Sequence, residues 1–109
     1  MEIADTTSMV GLELKSSEVE SIIIKDDAKV EEVVKALSSK TRRLILSHIQ
    51  EEPMDVSKIA SILEMTEANI SAQIKKLEKA GLITCDYKSG QHGVRKISSL
   101  KYNKLIINF

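Results

Sequence analysis

One cysteine, one proline, no tryptophan and only two tyrosines and a phenylalanine stand among the 109 residues. Each scarcity excludes something. A lone Cys85 closes no intramolecular disulfide and builds no multi-cysteine zinc site, so neither staple is expected to hold the fold. No apolar run approaches the ~18 residues a membrane span requires. The first ten residues, MEIADTTSMV, carry Glu2 and Asp5 where a signal peptide would carry positive charge, and a cytoplasmic protein is the expectation. Net charge is also missing, since 16 basic residues offset 16 acidic ones, and that balance alone argues against a nucleic-acid ligand.

What is present is an ordinary globular composition, 42% hydrophobic and 29% charged, in a length suited to one domain. The neutrality hides a division. Met1 to Met65 hold 8 basic against 13 acidic residues, whereas Thr66 to Phe109 hold 8 against 3. Charge fluctuates along any chain, but a basic half that begins at one structural element is what phosphate steering needs.

That element is a helix from about Glu67 to Ala80. Ile70, Ile74 and Leu77 recur at i, i+4 and i+7 and form a core face. Asn69, Ala72, Gln73 and Lys76 occupy the other side, with nothing large and apolar among them. Thr66 is positioned to cap the start and Gly81 to stop the end. Upstream, Asp26 or Asp27 caps a first helix carrying Val30, Val33, Val34 and Leu37 inward, ending near Ser38. Ser39 caps a second, Lys40 to Gln50, with Leu44, Ile45, Leu46 and Ile49 as its stripe. Pro53 ends that helix and passes an extended Met54 to Asp55, the cap of a third helix with Val56, Ile59, Ala60 and Leu63 or Ile62 facing inward.

After Gly81 the pattern turns strand-like. Leu82 to Lys88 and Val94 to Ser98 are expected to pair as a hairpin with a five-residue tip, Ser89 to Gly93. Tyr102 to Phe109 alternate as a final strand. Near the other end, Val10, Leu12 and Leu14, and then Val19 with Ile22 to Ile24, suggest two short strands after a frayed start. The expected architecture is α+β, mainly α: an N-terminal extension over 1–25 that could make a dimer contact, a winged helix-turn-helix over 26–100, and a C-terminal strand over 101–109.

Three blocks in this order, Ala36 to Leu46 (ALSSKTRRLIL), Val56 to Ala60 (VSKIA) and Ile70 to Ile83 (ISAQIKKLEKAGLI), resemble the ArsR-type winged-helix transcriptional regulators. The resemblance covers about Asp26 to Lys96. It implies that the fourth helix enters the DNA major groove, that the hairpin is a wing on the backbone or minor groove, and that the protein is a homodimer. Departures are specific. Met54 to Lys58 contain no Cys or His where metal-sensing members place cysteines, which removes that metal site. Glu64 stands in the turn where the family often has glycine. No long C-terminal dimerisation helix follows the wing, so a dimer would use the N-terminal strands, the first helix and the C-terminal strand in some combination.

The residues expected to meet double-stranded DNA follow from their chemistry. Gln73 and Asn69 carry the paired donor and acceptor that match adenine in the major groove, and Ala72 between them is small enough for close approach or a thymine methyl. Thr66, Ser71, Lys75 and Lys76 suit phosphates. Arg95 and Lys96 on the wing, with Lys88 across the hairpin and His92 at its tip, would grip backbone or minor groove. Solvated helix residues and edge-protecting lysines would look the same. No catalytic constellation or phosphate loop is present, and no cofactor or metal is expected. Cys85 reads as a small half-buried filler, and no motif names an effector. The functional expectation is a dimeric, sequence-specific repressor; the alternative is a winged helix that docks on protein in a larger assembly.

Overall fold

The computed structural model describes residues 20–91 and 93–109. The frayed start, Val10 to Leu14, Val19 and His92 lie outside the described residues. The elements run β1 (Ser21–Ile24), α1 (Asp27–Leu37), α2 (Lys40–Glu51), β2 (Met54–Asp55), α3 (Val56–Leu63), α4 (Glu67–Lys79), β3 (Ile83–Gly90), β4 (Gly93–Leu100) and β5 (Lys104–Ile107). This is a winged helix: four helices among the described residues, with a β3–β4 hairpin extending from a three-stranded sheet.

Each helix begins where a short polar side chain accepts an otherwise unpaired backbone N–H. Asp26 accepts from Lys29 at 3.0 Å, Ser39 from Arg42 at 3.3 Å, Asp55 from Lys58 at 2.8 Å and Thr66 from Asn69 at 3.1 Å. The ends of α3 and α4 share one chemistry. At α4, Gly81 takes φ +79° while Leu82 N donates to Leu77 O at 3.1 Å and Gly81 N to Glu78 O at 2.9 Å. The Lys29 ammonium of α1 adds a bond to Ala80 O at 2.9 Å, a cation at the negative end of the helix. At α3 the left-handed residue is Glu64, φ 56° and ψ 48°, with Met65 N donating to Ala60 O at 3.0 Å. The turn keeps its glycine geometry without its glycine.

The core forms where the helical stripes converge on the root of the sheet. Val33, Ile45, Ile59, Ile70, Ile74 and Leu77 are all 0% exposed, and Ile49, Met54, Leu82 and Ile83 close the cluster. At ~1.5–3 kcal/mol for each large aliphatic side chain buried, these positions dominate stability. Two expected core residues stand outside the cluster: Val34 is 49% exposed, with Ala36 taking the inward position on α1, and Leu44 of α2 is only half-buried. Ile62 is 41% exposed, so Leu63, packed against the core, is the inward member of that pair.

The sheet differs from expectation in two respects. Its strands continue to Gly90 paired with Gly93, so Ser89, Gly90 and Gly93 belong to the ladder and not to a five-residue tip. The alternating Lys88–Arg95 and Ser89–Val94 pairs supply ladder partners that turn-rich composition obscured. The final strand is shorter than Tyr102 to Phe109 and pairs in parallel with β1, Ser21 opposite Lys104 and Ile24 opposite Ile107. β2 joins the wing sheet through Met54 opposite Ser98.

Ile74→Ala should cost about 2–5 kcal/mol in urea unfolding, against under ~1 kcal/mol for Ile62→Ala. Glu64→Gly should instead raise the midpoint, by up to ~1 kcal/mol, because a left-handed non-glycine residue is strained.

Candidate nucleic-acid interface

The face of α4 opposite the core is where the candidate residues gather. Asn69, Ala72, Lys75 and Lys76 are exposed, and Gln73 and Ser71 are half-buried. The helix is rotated by its fully buried Ile70, Ile74 and Leu77, so this face is held outward by packing. Thr66 stands at its start with its hydroxyl oxygen on Asn69 N. Ser57 Oγ of α3 donates to Glu67 Oε2 at 2.9 Å, tying the first turns of both helices.

Gln73 and Asn69 form part of a relay. Arg42 Nη1, from α2, donates to Gln73 Oε1 at 2.7 Å. Gln73 Nε2 donates to Asn69 Oδ1 at 3.0 Å, and Asn69 Nδ2 faces Met65 Sδ at 3.7 Å. The rest of the Arg42 guanidinium closes the end of α1, with Nε on Ala36 O at 2.7 Å and Nη2 on Lys35 O at 3.1 Å. Sequence reasoning passed over Arg42. Its only local signal was its place in Thr41-Arg42-Arg43, and its partner lies 31 residues away.

The wing residues are drawn partly inward. Arg95 is exposed but pairs with Asp55 at 2.7 Å. Lys96 reaches Glu78 of α4 at 3.5 Å with its side chain 17% exposed. Lys88, opposite Arg95 in the register, is exposed. Asp55 thus caps α3 and anchors the wing. Its carboxyl is held below the ordinary 3.8, first by the Lys58 backbone N–H and then by Arg95, against the opposing effect of burial. Cys85 packs against the core beside Ser98, Sγ to Oγ 3.5 Å, and burial pushes its thiol up, disfavouring the reactive thiolate. No helix among the described residues is long and apolar enough to cross a membrane.

Residues 39–84 match the family model described as bacterial regulatory protein, arsR family. Over that segment the chain resembles an ArsR-type helix-turn-helix. Among solved structures, the chain is similar to HlyU from Vibrio cholerae N16961, with 24% identity over 70% of this chain and 78% of that one and a TM-score of 0.61. It is also similar to the homodimeric winged helix-turn-helix DNA-binding domain of Mb0332 from Mycobacterium bovis, a possible ArsR-family transcriptional regulator. There the identity is 26% over 67% of this chain and 64% of that one, TM-score 0.60. NolR from Sinorhizobium fredii gives 20% identity over 70% and 72%, TM-score 0.61. No curated protein matches the chain. The matched family model is one of bacterial regulatory proteins, the Mycobacterium bovis neighbour is a DNA-binding domain, and a DNA-binding regulator of transcription is what the likeness implies.

Asp55→Ala should cost about 0.5–2 kcal/mol at neutral pH through the lost cap. Because the folded-state pKa is lowered, the wild-type advantage is full above 3.8 and is lost as pH falls through the folded value. Urea unfolding of both proteins from pH 7 down to pH ~2 checks this convergence.

Proposed function

We propose that this protein is a homodimeric, sequence-specific repressor that reads the major groove of duplex DNA with α4. The observation that carries the reading is the exposed Asn69–Ala72–Lys76 face, set against three wholly buried core residues inside the segment that matches the arsR family. Asn69 and Gln73 are the base-reading residues. Ala72 lets the helix approach and can touch a thymine methyl. Thr66, Ser71, Lys75 and Lys76 hold phosphates, fixing register without reading sequence. Lys88, His92, Arg95 and Lys96 form the wing's contribution, with Arg95 exchanging Asp55 for the DNA backbone.

A second copy supplies the other half-site. The homodimeric Mycobacterium bovis neighbour supports this assignment, as do the exposed Ile23 of β1 (54%) and Val34 of α1 (49%), apolar side chains on the elements expected to make the dimer contact. The division into a dimerising extension over 1–25, a DNA-binding domain over 26–100 and a terminal strand belongs to the same proposal, as does function in the cytoplasm.

Two recognition helices related by a two-fold axis read half-sites about one helical turn, ~34 Å, apart, so selected duplexes should contain a palindrome. Gln73→Ala should relax preference at one base pair per half-site by about 1–3 kcal/mol. Lys76→Glu should weaken binding to every sequence and flatten the salt dependence by about one phosphate. Gel shifts at two salt concentrations separate these outcomes. Absence of salt-dependent binding to any duplex would leave docking on a protein partner as the function.

A further inference from the structure

The relay that runs from α2 into α4 has a direction, because a guanidinium donates hydrogen bonds and accepts none. Arg42 Nη1 therefore requires the carbonyl end of the Gln73 amide, which it meets at 2.7 Å. That choice turns Nε2 of Gln73 toward Asn69 and obliges Asn69 to answer with Oδ1, at 3.0 Å. Asn69 Nδ2 is then left at the far end, beside Met65. A free glutamine or asparagine can rotate its amide by half a turn and exchange donor for acceptor. These two are constrained by a charge-assisted bond at one end of the chain. Arg42 is itself held by Lys35 O and Ala36 O, so the constraint does not swing with the side chain.

From this we infer that Arg42 is a specificity-determining residue that sets the amide polarity of the reading edge without itself contacting a base. The inference rests on the reading in which α4 enters the major groove. Each carbonyl oxygen of the pair is turned onto a donor within the protein and keeps one lone pair, while each amide nitrogen has given one hydrogen, to Asn69 Oδ1 or Met65 Sδ, and keeps the other. With both oxygens directed along the relay, the amide hydrogens are what the edge offers first. Guanine offers two acceptors, N7 and O6, in the major groove, whereas adenine offers one acceptor and one donor. Guanine is the base this edge selects, in place of the adenine that an unconstrained glutamine would match.

The test is selection of bound duplexes from a randomised pool by the full chain and three variants, followed by affinity and salt dependence on the winners. The wild type should enrich guanine at the position lost in Gln73→Ala. Arg42→Met keeps the aliphatic stem but frees the amide, and should reduce that preference about tenfold or more, or move it to adenine, with the salt slope unchanged. Since Arg42→Met also removes the closure of α1, Gln73→Glu serves as the variant that keeps every Arg42 bond. Its carboxylate accepts from Arg42 and from Asn69 Nδ2, turning Asn69 Oδ1 outward, so preference should move to a base with an exposed donor, cytosine or adenine. Adenine selected by the wild type, or an unchanged base preference in Arg42→Met and Gln73→Glu while Gln73→Ala relaxes it, would overturn the relay alone. A uniform loss of affinity in Arg42→Met, with the salt slope reduced by about one, would make Arg42 a phosphate contact and overturn it too. If Gln73→Ala leaves preference untouched, the major-groove reading fails and the relay with it.

Discussion

The rotation of α4 about its own axis is the constraint on which the interface depends. Ile70, Ile74 and Leu77 are 0% exposed. At about 1.5–3 kcal/mol each, no surface interaction in the domain competes with their burial. Successive residues lie about 100° apart around a helix, so slipping α4 by one position would bring all three to the surface. The outward placement of Asn69, Ala72 and Lys76 follows from that packing. The same burial holds Gln73 at the margin between surface and interior, where a side chain from α2 can reach it.

Local features were legible in the sequence for that reason. Periodicity announced the buried stripe of α4, and the caps Ser39, Asp55 and Thr66 are chemistry confined to three or four neighbouring residues. Contacts between distant residues were not legible. Arg42 to Gln73, Arg95 to Asp55 and Lys29 to Ala80 join positions 31, 40 and 51 residues apart, and no local pattern marks either partner. Glu64 shows a different limit. Intrinsic preference asks for glycine at a left-handed position, yet the bonds around Ala60, Ser61 and Met65 and the packing of both helices hold a glutamate there. Tertiary context outweighs about 1–2 kcal/mol of local strain. Val34 fails for the converse reason: among the described residues the core covers one side of α1, and a broad apolar stripe extends past the covered arc.

Charge counted along the chain also differs from charge available at a surface. The basic second half holds Arg95 and Lys96, but the folded domain spends both on carboxylates. Lys75, Lys76 and Lys88 make no ion pair among the described residues, so under the proposed reading they are the cations left for phosphate. Two of these belong to α4 itself. The electrostatic footprint is therefore centred on the helix more than the wing, and a neutral chain can still present a positive edge.

The two wing pairs are not equivalent as reserves. Asp55 accepts from Lys58 N whether or not Arg95 is present, so the departure of Arg95 leaves no carboxylate without a partner. Arg95 is also 60% exposed, where ion pairs are worth ~1 kcal/mol or less. A phosphate can replace Asp55 at small cost. Lys96 is 17% exposed, and drawing its ammonium away from Glu78 would bring a largely covered side chain into solvent. The wing thus has one cation able to change partners and one that anchors the hairpin to α4. Wing contacts made through Arg95 leave the hairpin's position relative to α4 undisturbed.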